Sequence, residues 1–84
     1  MTYRLLIKSA AKKQMRRLPD TTFRLIDERI RALRSDPRPP GAKKLVDVVA
    51  WRIRIGDYRV VYEIDDQELD VRIAAVKPRQ SAYK

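Results

Sequence analysis

The sequence predicts an α+β domain: an N-terminal strand and a helical hairpin precede an antiparallel meander, whose small twisted sheet packs on the helices. Two patterns predict it. Residues 9–34 place apolar side chains three and four positions apart, the spacing that lines one face of an α-helix. Residues 51–76 alternate apolar and polar side chains around two turn-forming segments, as strands with one buried face do. Between them DPRPPGA (36–42) carries three prolines and one glycine, so neither period runs through it.

Each element can be justified in chain order. Tyr3, Leu5 and Ile7 alternate with Arg4 and Lys8 over residues 2–8, which reads as a strand. Ser9 is placed to cap a short helix reaching about Leu18, with Ala11, Met15 and Leu18 on one face. Leu18-Pro19-Asp20 breaks that helix, and Asp20 is the expected N-cap of a second one. There Phe23, Ile26, Ile30 and Leu33 form the apolar stripe, and Arg24, Arg31 and Arg34 take the wet side. The second helix has to stop before Pro37. A short strand is expected within residues 43–49, followed by strands over about 50–55, 58–64 and 69–76.

Composition narrows the chemistry. Eighty-four residues suffice for one domain, taken as 1–84, with a modest core. With no cysteine, neither a disulfide, a thiolate nucleophile nor a zinc–thiolate site can form. With no histidine, the usual general base near neutral pH is missing. Any chemistry must run on Arg, Lys, Tyr, Asp or Glu, and no metal or cofactor is implied. No apolar run has the length of a membrane span, and MTYRLLIKSA lacks the long apolar core of a signal peptide, so a cytoplasmic protein is expected. The formal net charge is +9, and all of that excess lies in residues 1–45. An excess of this size points to a polyanionic partner such as nucleic acid, though basic helix faces also serve solubility.

The neutral half holds the candidate site. Gly56-Asp57 separates two alternating runs, so a two-residue hairpin turn is the simplest register. Ile55 then faces Tyr58, Arg54 faces Arg59, Ile53 faces Val60, Arg52 faces Val61 and Trp51 faces Tyr62. Directly opposed residues share a sheet face. The apolar residues therefore collect on one face, and Arg52, Arg54 and Arg59 on the other. If Asp66-Gln67 is the next turn, Ile64 faces Leu69, Tyr62 faces Val71, Val60 faces Ile73, Tyr58 faces Ala75 and Arg59 faces Ala74. The small Ala74 and Ala75 then leave room for a ligand. The last strand ends near Val76, and Arg79 and Tyr83 emerge at the end that holds Arg54 and Arg59. Asp65, Asp66, Glu68 and Asp70 collect at the opposite end, roughly 20 Å away at about 3.3 Å per residue. Like charges opposed across a strand pair are unfavourable and are tolerated where an anion is expected; the planar guanidinium fork suits phosphate. Arg52 taken singly reads as an ordinary open-face arginine.

DPRPPGAKKL, then WRIRIGDYRVVYEID, then a last strand ending V-K-P-R-x-x-x-Y together resemble the RelE/ParE superfamily of bacterial toxin–antitoxin toxins over essentially the whole chain. The resemblance implies the RelE-like fold. In the RelE branch it implies ribosome-dependent cleavage of mRNA in the ribosomal A site; the ParE branch shares the fold but poisons DNA gyrase. Arg52 and Arg54 match the two basic positions on the active strand, Arg59 the arginine of the next strand, Arg79 the arginine after the last strand and Tyr83 the C-terminal tyrosine. All five positions carry a suitable residue, which favours the RelE branch. One stretch departs from the pattern: relatives often read V-G-H-R where this chain has Val76-Lys77-Pro78-Arg79, so Pro78 replaces a common histidine and can re-aim Arg79.

By that resemblance Arg52 and Arg54 position RNA, Arg59 holds the scissile phosphate, Arg79 serves as general acid or further stabiliser, and Tyr83 is the general base, its phenol made more acidic by neighbouring arginines. The alternatives are a gyrase inhibitor without nuclease activity and a degenerate toxin that only binds its antitoxin. All three imply a small acidic antitoxin as partner in a hetero-oligomer, alongside ribosome and mRNA, or gyrase.

Overall fold

The computed structural model describes residues 2–79. Among them run β1 (Arg4–Ile7), α1 (Ser9–Arg16), α2 (Asp20–Ala32), β2 (Lys43–Lys44), β3 (Trp51–Ile55), β4 (Tyr58–Asp65) and β5 (Asp70–Pro78). The strands form one sheet in the order β1-β5-β4-β3-β2. β5, β4, β3 and β2 are antiparallel neighbours, and β1 lies parallel to β5. The expected meander is therefore present, and the N-terminal strand closes its far edge. The parallel pairing follows from the two helices, which carry the chain back over one sheet face before the next strand begins.

Hydrophobic burial joins the layers. Ala11 and Met15 of α1 and Ile26, Ile30 and Leu33 on and just after α2 pack against Ile53, Ile55, Val60, Tyr62, Val71, Ile73 and Val76 of the sheet. The Tyr62 ring is wholly buried, and its hydroxyl donates to the Pro37 carbonyl at 2.7 Å. That bond fixes the proline-rich crossing on the sheet and gives the buried phenol its partner. Burial pushes the Tyr62 phenol up to about 12.

The helix starts differ from expectation. Lys8, not Ser9, stands at the N-cap of α1, and Pro19, not Asp20, at that of α2; neither makes a side-chain capping bond. Pro19 donates no N–H and has a fixed φ, so it enters the helix readily, while Asp20 moves into the first turn, where its charge suits the helix dipole. Phe23 is not core: it is 38 % exposed, in a shallow cavity with Ile7, Met15 and the stems of Lys12 and Arg16. It lies about one turn before Ile26, the first buried residue of α2.

The first hairpin has the expected register, pair for pair, from Trp51 with Tyr62 to Ile55 with Tyr58. Gly56 takes φ +58 at the first central turn position, where only glycine is at ease. The second hairpin is different. Residues 66–69 form a four-residue turn, so Ile64 faces Val71 rather than Leu69, and Tyr62 faces Ile73 rather than Val71. The Asp65 carboxylate organises that turn by accepting the backbone N–H of Gln67 at 3.1 Å and of Glu68 at 2.9 Å, and Leu69 closes it at φ 55. A β-bulge follows: Tyr62 pairs with Ile73 but Val61 with Ala75, leaving Ala74 as the extra residue. Beyond it Val60 faces Val76, Arg59 faces Lys77 and Tyr58 faces Pro78. Thus Val76, not Ala75, joins the core, and Ala74 does not face Arg59. The Gln14 side chain of α1 accepts the Val76 N–H at 2.6 Å, which ties the helix to the strand just past the bulge.

Candidate functional site

The helices cover one face of the sheet, and the other face carries the charge pattern. Arg54, Arg59 and Lys77 stand side by side on β3, β4 and β5. All three lie on the face opposite Ile53, Ile55, Val60 and Val76, so they share the open side. Adjacent strands are about 4.8 Å apart, which places the three Cα positions within about 10 Å of one another. Arg54 and Lys77 are exposed, and Arg59 between them is half-buried with its Nε fully enclosed. The middle cation is thus held in place while its flanking cations reach into solvent.

One row further from the turn, Lys43 faces Arg52, Arg52 faces Val61 and Val61 faces Ala75. Arg52 is only 9 % exposed, which differs from its reading as an ordinary open-face arginine. It stands one register row from Arg54, Arg59 and Lys77, largely enclosed rather than spread on the surface. Arg79 lies just past β5 and is exposed; its backbone N–H donates to the Asp57 carbonyl at 2.7 Å. That bond fastens the chain to the first hairpin turn, and Asp57, Tyr58, Pro78 and Arg79 line a cavity of about 320 Å³ there. Strand β5 runs to Pro78 instead of ending near Val76, so Arg79 starts from a paired strand end. Tyr83 lies outside the described residues.

The opposite end of the sheet is built from ion pairs. Asp70 is 2 % exposed and accepts the Arg4 Nε at 2.8 Å and an Arg72 nitrogen at 3.1 Å. The hydrogen bond from Arg4 leads the causes that hold its carboxyl below the usual range. Asp66 accepts Arg38 at 2.8 Å and the Tyr3 hydroxyl at 2.7 Å, and these bonds lower its carboxyl likewise. Arg38 also lies over the Trp51 ring, 5.2 Å from its centroid. The four acidic residues expected at this end are there, and Arg4, Arg38 and Arg72 neutralise three of them, Asp70, Asp66 and Asp65. Among the described residues no group of carboxylates is placed to hold a metal ion.

The geometry can bind and polarise a phosphate: a partly enclosed guanidinium flanked by two exposed cations in a plane, with a second arginine one register row away. Of the expected site residues, the fold brings Arg52, Arg54 and Arg59 together and puts Arg79 at the turn beside them. Sequence reasoning missed Lys77 and Lys43 as members of this face. A signal for Lys77 existed: the buried positions run Val71, Ile73, Val76, and that change of phase across Ala74-Ala75 is where a bulge belongs.

Residues 5–83 match the family model of the ParE toxin of the type II toxin–antitoxin system parDE. Comparison with curated proteins finds no match. Among solved structures, the toxin–antitoxin complex RelBE2 from Mycobacterium tuberculosis is similar at 26 % identity with a TM-score of 0.84, over 94 % of this chain and 100 % of that one. The archaeal RelE–RelB complex from Pyrococcus horikoshii is similar at 29 % identity and 0.81, over 94 % and 97 %. A YoeB/ParE toxin from Agrobacterium tumefaciens matches at 16 % identity and 0.76, over 89 % and 96 %, a likeness of fold alone.

Proposed function

This chain belongs to the ParE toxin family of type II toxin–antitoxin systems, and we propose that it acts as a ribosome-dependent endoribonuclease that cuts mRNA and stops translation. The observation that carries the reading is the Arg54–Arg59–Lys77 row, an open cationic surface with Arg79 fixed at its margin. Similarity to RelE toxins supports the same branch.

In this mechanism a ribose 2′-hydroxyl loses its proton to Tyr83 and attacks the neighbouring phosphorus. The P–O5′ bond breaks, leaving a 2′,3′-cyclic phosphate, and the departing 5′-oxygen takes up a proton from water. Arg59 holds the phosphate and the charge that develops on it, Arg54 orients the backbone, and Arg52 adds field from the next row. Arg79 stabilises the leaving oxygen; as a guanidinium it acts better by hydrogen bonding than by giving up its proton. The basic helices dock on ribosomal RNA, with affinity that falls as salt rises. The partner that restrains the toxin is an antitoxin, as in the RelB-containing complexes of its structural relatives; an acidic segment laid over the cationic row would block substrate.

A second reading has its own support, because the matching family model is that of a ParE toxin. On that reading the chain inhibits DNA gyrase and the arginines are contact residues; a chain that only binds its antitoxin is the limiting case. Pulse labelling after induction separates them. A rapid fall in protein synthesis is expected here, a fall in DNA synthesis favours gyrase, and no growth defect favours the binding-only toxin. With purified ribosomes and mRNA, Arg59→Ala is expected to lower cleavage by about 100-fold or more, the scale of losing a main transition-state stabiliser. Full cleavage by that variant overturns the mechanism.

A further inference from the structure

Lys77 is the member of the cationic row that the hairpin pattern does not announce, and its position depends on one structural device. With the alternation of β5 unbroken, residue 77 would share the core side with Val71 and Ile73. The Ala74 bulge shifts the phase by one residue, so Val76 turns inward at 2 % exposure and Lys77 turns outward beside Arg59. The shift is secured by Gln14, which accepts the Val76 N–H, and by Arg79, whose N–H bonds the Asp57 carbonyl two residues beyond Lys77. The result sets three basic residues side by side on three adjacent strands, a surface of one sign.

We infer that Lys77 binds the phosphate next to the one held by Arg59, so that single-stranded RNA crosses the sheet from β3 toward β5 instead of running along a strand. The row is perpendicular to the strands, and its β5 end continues to Arg79. A lysine suits this subsite: it is a mobile point charge that follows a flexible backbone, whereas the half-buried Arg59 fixes one phosphate. At the other end of the sheet Arg4, Arg38 and Arg72 are already engaged by Asp70, Asp66 and Asp65, so a phosphate chain that followed β4 would gain no net attraction there, which favours the crossing path.

The inference rests on the nucleic-acid reading of this face but is tested without cleavage. Binding of a fluorescent four-nucleotide RNA is measured from low to high potassium chloride for the whole protein, for Lys77→Gln, for Lys77→Arg and for Lys44→Gln as control, an exposed residue of β2 on the other side of the sheet. Lys77→Gln is expected to bind several-fold more weakly at low salt and to flatten the slope of log affinity against log salt by about 0.7, the loss of one single-strand phosphate contact. Lys77→Arg and Lys44→Gln are expected to keep the parental slope. An unchanged slope in Lys77→Gln, failure of Lys77→Arg to retain it, or no salt-dependent binding by the parent chain overturns the inference. If the slope falls as expected but ribosomes plus the parent chain leave mRNA intact, the nuclease reading fails and the phosphate subsite stands. If mRNA is cut and the slope does not change, the subsite alone fails.

Discussion

The two ends of the sheet use the same residue types in opposite ways. At the end away from the first hairpin turn, Arg4, Arg38 and Arg72 each meet a carboxylate, and Asp70 is buried only because two guanidiniums satisfy it. At the turn end, Arg54, Arg59 and Lys77 face one another across strands. The first arrangement holds β1 to β5 and the proline-rich crossing to the sheet; the second sets cation against cation and suits a polyanion. A count of arginines would not separate them. The position of each arginine in the sheet separates them: one end ties strands and crossing together, the other lines up three basic residues across the strands.

The most drastic way to break this contrast is to put a charge on the inward side of the bulged strand. Val76 is 2 % exposed, so Val76→Lys should show a severe loss of stability or no folded protein in thermal unfolding, because the lysine would be buried without a partner. Deleting the extra residue Ala74 restores plain alternation and should leave Val76 inward and Lys77 outward; a parental melting curve for Val76→Lys would mean that the bulge does not turn residue 76 into the core.

Asp70→Asn comes next. It leaves Arg4 and Arg72 without their shared carboxylate and should lower the melting temperature by several degrees at neutral pH. The sign of the pH effect follows from the lowered carboxyl. Its stabilisation is fully present above the unfolded carboxylate value of about 4 and is lost as pH falls through the lower folded value. The parent chain should therefore weaken below about pH 4, and the asparagine variant should show a flatter acid limb. Equal acid limbs would remove Asp70 from the account.

Tyr62→Phe sits midway between the two ends and should destabilise by about 1–2 kcal/mol in denaturant unfolding, since the Pro37 carbonyl loses its donor. The folded phenol is raised to about 12, so its contribution is complete below about 10 and is lost as pH rises between those values. Phenylalanine should flatten the alkaline limb. The smallest effect is expected from Gly56→Ala, about 1 kcal/mol, because the added Cβ meets no atom within 4 Å and the cost is the left-handed φ alone. A much larger loss would mean that the turn's conformation, rather than strand alternation, holds the arginines in register.

Much of this was legible in the sequence. Local alternation and a glycine turn were enough for the first hairpin, because a two-residue loop leaves the register no freedom and each pair follows from the last. The helical stripe was legible from Ile26 to Leu33 but not at Phe23, since periodicity names a face without saying how far the neighbouring layer extends. The second hairpin was misread because its turn length depends on the Asp65 carboxylate capturing two backbone N–H groups, which competes with the shorter turn by a few hydrogen bonds.

The sequence by itself determined the element order, the core face of the first hairpin and the convergence of Arg52, Arg54 and Arg59, because these follow from spacing along a short stretch of chain. Only the tertiary structure decided that Arg52 is buried, that Asp70 and Asp66 are ion-paired across 66 and 28 residues, and that Lys77 completes the row. Those outcomes depend on a bulge stabilised by a helix side chain and on contacts between residues far apart in sequence. Spacing along the chain carries no information about either.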